Sequence, residues 1–156
     1  MRTATTKFTA LLIASLIAPT AALAQKFHAG PTISLDGDTL SAFAVISGLG
    51  NGDLVATLTA DATTITQCTN KGKVVVEAQE DTTTLTETEP VPVGKNGKAT
   101  VNVSLSADDI GNPCPNPNWT PTTLSVTFAD VAFSIVQGGV TLFECGPDAL
   151  NACDVQ

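Results

Sequence analysis

Ala99-Thr100-Val101-Asn102-Val103-Ser104-Leu105-Ser106 alternates apolar and polar side chains without a break. Successive side chains of an extended chain point to opposite faces, so this stretch is a strand with one buried and one wet face. A helix would scatter the same residues around its circumference. The period of two recurs in Leu54, Ala56, Leu58 and Ala60, with Val55, Thr57 and Thr59 between them, and in Leu124, Val126 and Phe128. After Ala129-Asp130 the apolar phase moves to Val131, Phe133 and Ile135, which points to a bulge or to a strand that changes sheets.

The punctuation agrees. Asp36-Gly37, Asn51-Gly52, Asn96-Gly97 and Gly138-Gly139 accept the positive φ that tight hairpin turns need. Strands are expected at 32–35, 39–47, 53–60, 63–69, 73–79, 82–88, 98–105, 123–136 and 140–145, the eighth of which can be two. Residues 77–92 are read as an edge strand running into an exposed loop, because Pro90 and Pro92 flank Val91 in a Thr- and Glu-rich tract. No stretch after residue 24 reads as an amphipathic helix. The expected fold is all-β, an immunoglobulin-like antiparallel β-sandwich, with a small β-barrel as the alternative.

Residues 1–24 read as a secretory signal peptide. Arg2 and Lys7 precede the apolar run Phe8–Ala18, and Ala22-Leu23-Ala24 offers small residues for cleavage before Gln25. The run is too short for a membrane anchor, which takes about 20 residues. Residues 25–156 then form a single sandwich domain, secreted to the periplasm or the extracellular medium. Hydrophobic residues make up 43% of the 156 and charged residues 14%, which argues against general disorder. Cleavage removes Arg2 and Lys7 but no acid, leaving five Lys against 15 acids and a formal charge of −10. Such a charge is wrong for a nucleic-acid partner, and it disfavours membranes after the signal is cut.

Cys68, Cys114, Cys145 and Cys153 all follow the leader, and an even count in an exported chain reads as disulfides. Of the three pairings, Cys145–Cys153 is favoured because Gly146 and Pro147 let the chain bend back, which leaves Cys68–Cys114. A metal or redox site is the alternative, but no Cys-x-x-Cys occurs and the sole His, His28, is remote in sequence. No cofactor is expected.

Few residues carry evident chemistry. Asp36 and Asp38 could give carboxylates to Ca²⁺, although a hairpin turn explains them as well. Asp108-Asp109 is equally ambiguous, and a hydrolase built on these Asp pairs is the least favoured reading. A Ser-His-Asp arrangement around His28 would need residues brought together by the fold. Trp119 follows Asn116-Pro117-Asn118 in a stiff loop that starts near Cys114. The plainer expectation is that Trp119 caps the core. Exposed, it would stack on a sugar or a partner, with Asn116 and Asn118 beside it. Thr82, Thr84, Thr86 and Thr88 share one face of an extended strand, read as a solvated edge. Asn102-Val103-Ser104 and Asn118-Trp119-Thr120 are glycosylation sequons if the secreting cell is eukaryotic.

Several pieces together resemble a family of uncharacterised small secreted proteins seen mainly in bacteria. They are Val45-Ile46-Ser47-Gly48-Leu49-Gly50-Asn51, Cys68-Thr69-Asn70, Asn96-Gly97-Lys98-Ala99-Thr100, Cys114-Pro115-Asn116-Pro117-Asn118-Trp119 and Gln137-Gly138-Gly139. The resemblance implies a secreted β-sandwich with Cys68 and Cys114 bridged, and implies no activity. The chain departs from it at Lys73-Val74-Val75-Val76, in the Thr/Glu tract that follows, and in the Cys145/Cys153 pair.

The function expected is that of a secreted, non-enzymatic structural or protein-interaction module with an unknown protein or cell-surface partner. Its contacts would lie at the 111–121 loop or the 80–93 tract. The first alternative is a carbohydrate-binding module using Trp119, and the second is a secreted hydrolase.

Overall fold

The computed structural model describes residues 25–76, 78–147 and 152–156, with only the backbone of Asp109. The leader expected at 1–24 lies outside the described residues. Among the described residues seven strands follow one another: β1 (Lys26–Asp36), β2 (Thr39–Ser47), β3 (Leu54–Thr69), β4 (Gln79–Val91), β5 (Ala99–Ser106), β6 (Thr120–Gln137) and β7 (Val140–Cys145). One sheet has the order β1-β2-β5 and the other β4-β3-β6-β7, and every pair of neighbours is antiparallel. This is the strand order of an immunoglobulin-like Greek key, with β4 as an added edge beside β3. Among the described residues the only helical piece is a 3-10 turn at Ala107–Ile110.

The alternation opens the core where the sequence places it. Ala99, Val101, Val103 and Leu105 of β5 are buried and face Leu40, Ala42, Ala44 and Ile46 of the neighbouring β2. Leu54, Ala56, Leu58, Ala60 and Ala62 supply the opposing sheet, joined by Phe133 and Ile135 of β6. Asp61-Ala62 carries the alternation through, so the strands expected at 53–60 and 63–69 are one 16-residue strand.

The phase change in β6 is a bulge, not a change of sheet. Thr59 faces Ala132 and Asp61 faces Ala129, so β6 holds one residue too many, and Asp130 takes φ +49° there. A second slip, opposite Ile65 and Thr66, turns Leu124 out to 55% exposure, against the alternation that grouped it with Val126 and Phe128.

Two of the expected hairpin turns are crossings between sheets. The loop holding Asn51-Gly52 joins β2 to β3, and the one holding Asn96-Gly97 joins β4 to β5. The two crossings touch, since Leu49 N–H donates to the Gly97 carbonyl at 3.1 Å. Gly97 has φ +66°, and a Cβ on it would come within 2.8 Å of the Leu49 carbonyl oxygen, so only glycine lets the loops approach this closely.

Residues 73–76 do not make the expected strand. Val75 forms one bridge to Thr69, and Val74 and Val75 are 60% and 51% exposed. β4 is an edge strand, as the 77–92 tract suggested, but it stays paired with β3 as far as Val91. Its outward Thr82, Thr86 and Thr88 hydroxyls bond to those of Thr63, Thr59 and Thr57, and Thr84 donates to Asp61. Exposed Glu87 and Glu89 share the strand with Pro90, features that discourage another chain from adding to this edge.

Thr64 is buried on the inner face of β3, and its hydroxyl has no hydrogen-bond partner among the described residues. Thr64→Val replaces that hydroxyl with a methyl of similar shape. The substitution should stabilise the fold by about 1 kcal/mol, because no buried polar group is then left unmatched. Urea unfolding checks this, and a destabilisation would contradict it.

Candidate functional site

Both disulfides pair as the spacing favours. Cys68 bonds Cys114 with Cα atoms 5.8 Å apart, and Cys145 bonds Cys153 at 5.0 Å. The second bridge holds the chain end on the free edge of β1. There Gln156 N–H donates to the Ile33 carbonyl at 2.9 Å and the Gln156 carbonyl accepts from Leu35 N–H at 3.0 Å. The first bridge ties the end of β3 to the segment between β5 and β6, and the candidate site forms where it does so.

Two Asn-Pro steps shape that segment. The side-chain oxygen of Asn112 accepts from Cys114 N–H, and that of Asn116 accepts from Asn118 N–H, each at 2.9 Å. Asn closes such turns on the amide two residues on, and the Pro between fixes φ for the bend. Trp119 N–H then donates to the Asn116 carbonyl at 3.0 Å, which completes a turn with Pro117 inside it.

Across the disulfide, Asn70 closes a tight loop of its own. Its N–H donates to the Val74 carbonyl at 3.1 Å, its carbonyl accepts from Lys73 N–H at 2.9 Å, and its side-chain oxygen accepts from Val74 N–H at 3.0 Å. Lys71 and Gly72 form the tip. Asn70, Lys71 and Gly72 come against Asn116, Asn118 and Trp119 around an open depression of about 440 Å³. Trp119 is half-buried, and it is not among the residues that form the core or pack against it. The expectation that it caps the core is therefore not met: Trp119 lines the depression.

The other sequence-predicted residues do not converge. Asp36 ends β1 and Asp38 is the second residue of the two-residue turn to β2, and the Asp38 carboxylate accepts from the Thr39 hydroxyl at 3.3 Å. Asp108 lies at the same end of the sandwich, since Ala107 N–H reaches the Asp38 carbonyl. No three His, Cys, Asp or Glu among the described residues stand close enough to hold a metal ion.

His28 has a partner that sequence reasoning missed, as its Nε2 lies 2.6 Å from Ser47 Oγ. The signal lay in the β1–β2 register, which sets Phe27 opposite Ile46. The pair is exposed and has no orienting carboxylate bond among the described residues, so it lacks the third member and the enclosure that such chemistry uses. Asn102 is exposed on β5, opposite Phe43, while Asn118 lies on the rim of the depression, where a glycan would obstruct it.

No helix among the described residues is long and apolar enough to cross a membrane. No protein-family model matches the chain, and a search of the curated proteins finds no match.

Proposed function

We propose that the protein is a secreted, non-enzymatic recognition module whose ligand is a carbohydrate held in the Trp119 depression. One observation carries this reading: Trp119, half-buried and outside the core, shares an open depression with Asn70, Asn116 and Asn118. An aromatic face beside fixed amide groups suits a sugar, which offers apolar C–H faces and a rim of hydroxyls. The Asn116 and Asn70 oxygens are engaged in their own turns, so their NH₂ groups remain as donors. The leader and the two disulfides support export.

Trp119→Ala tests the reading in gels that contain polysaccharide. The substitution should weaken retention by about thirtyfold, the loss of about 2 kcal/mol typical of a truncated aromatic anchor. Stability should hardly change, because Trp119 lies outside the core. Wild-type protein that no polysaccharide retards would remove the proposal.

A protein partner on the outer face of β4 and β3 is a second reading, favoured by the ordered Thr57–Thr88, Thr59–Thr86 and Thr63–Thr82 pairs. Deleting 80–93 would not test it, because β4 buries Leu85 and Val91. Thr86→Lys probes the face with the strand intact, and unchanged capture of a protein partner would count against this reading.

A further inference from the structure

We infer that Lys71 makes the Trp119 depression selective for sugars that carry an anionic substituent, a carboxylate or a sulfate; the inference rests on the carbohydrate reading above. Its basis is a local reversal of charge. After residue 24 acids outnumber bases 15 to five, yet Asn70, Lys71, Gly72, Asn116, Asn118 and Trp119 line the depression without one carboxylate. Residues 70–76 and 110–123, the two segments that build it, contain Lys71 and Lys73 and no acid. The whole-chain charge that opposes anionic polymers is thus absent where a ligand would make contact. At physiological ionic strength charges are screened over about 8 Å, so at contact the nearest cation outweighs carboxylates elsewhere on the surface.

Lys71 is also placed for the task. It sits at the tip of a loop whose two ends are closed by the Asn70–Val74 and Asn70–Lys73 backbone bonds, and the Cys68–Cys114 bridge anchors that loop beside Trp119. It makes no ion pair among the described residues. Its ammonium group offers donors only, and the Asn70 and Asn116 amides have committed their oxygens to turns. The depression is therefore rich in donors and carries positive charge, the complement of an anionic group on a ring that stacks on Trp119. Lysine acts as a point charge and does not demand one planar geometry, which admits sulfate as well as carboxylate.

The test measures dissociation constants of the oxidised protein, at fixed salt, for polygalacturonate and for its methyl ester, the same polymer without charge. Dextran sulfate and dextran form a second pair that separates sulfate from carboxylate. Wild type should prefer at least one charged polymer to its neutral counterpart by about tenfold, the value of one charge-assisted contact. Lys71→Gln should remove that preference, bringing the affinity for the charged polymer down to that for its neutral counterpart. Equal binding of charged and neutral polymers by both proteins would overturn the role of Lys71 and leave the carbohydrate reading standing. Polyanion binding that survives Trp119→Ala undiminished would also overturn it, by placing the attraction elsewhere. Failure of all four polymers to bind would overturn both.

Discussion

Replacing Cys68 and Cys114 together with Ala should lower the free energy of unfolding by about 4 kcal/mol, since the bridge closes a loop across 46 positions and restrains the unfolded chain accordingly. Both cysteines are buried, so the variant also loses packing between β3 and the segment ahead of β6. The effect on the site should be larger than the effect on the sheets. β3 keeps its ladders with β4 and β6 without the bridge, whereas nothing else covalent holds Asn70–Gly72 against Asn116–Trp119. The variant should therefore remain a β-protein by circular dichroism, melt at lower temperature and show more exposed indole emission. A stability loss below about 1 kcal/mol would mean that the bridge does little to shape the unfolded ensemble.

Phe133→Ala should cost about 3–5 kcal/mol, the range for deleting a large buried aromatic side chain. Phe133 is 1% exposed and pairs across the ladder with Leu58, itself fully buried. Its ring packs against Phe143 at a centroid distance of 5.9 Å, and Phe143 meets Phe27 of β1 edge-on at 6.1 Å. This row of rings joins the two sheets along the side where β1 and β7 lie. An aliphatic, Ala-rich core has few large side chains able to move into the hole, so most of the cavity should persist. Equilibrium unfolding in urea measures the loss, and a value under about 1 kcal/mol would show that the sheets can close over the site.

The sandwich was legible because its signal is local. Ala99–Ser106 and Leu54–Ala60 alternate cleanly, and a period of two with turn residues between strands permits few architectures. Crossing loops were not distinguishable from hairpins, because Asn51-Gly52 and Asn96-Gly97 show the same φ preference whether the next strand stays in the sheet or leaves it. Val74-Val75-Val76 misled for a related reason. The composition favours a strand, but Asn70 and the positive φ of Lys73 fold the chain into a tight loop that leaves Val74 and Val75 in solvent.

The candidate site was half legible. Asn116, Asn118 and Trp119 stood out as a stiff loop beside a cysteine. Lys71 did not, because the Cys68–Cys114 pairing, favoured from the sequence, says that the two segments meet but not which way the chain turns after Cys68. The Asn70–Val74 and Asn70–Lys73 bonds that turn Lys71 toward the Trp119 loop show no signal in the sequence.

Trp119 is the only Trp and the chain has no Tyr, so its emission reports on this depression alone. The most direct test of the account is therefore a fluorescence titration of the oxidised wild-type protein with soluble neutral and acidic polysaccharides. Ligand binding at the depression predicts a saturable change in Trp119 emission with at least one of them, lost when Cys68 and Cys114 are replaced. Emission that stays unmoved in folded protein across the whole series would contradict it.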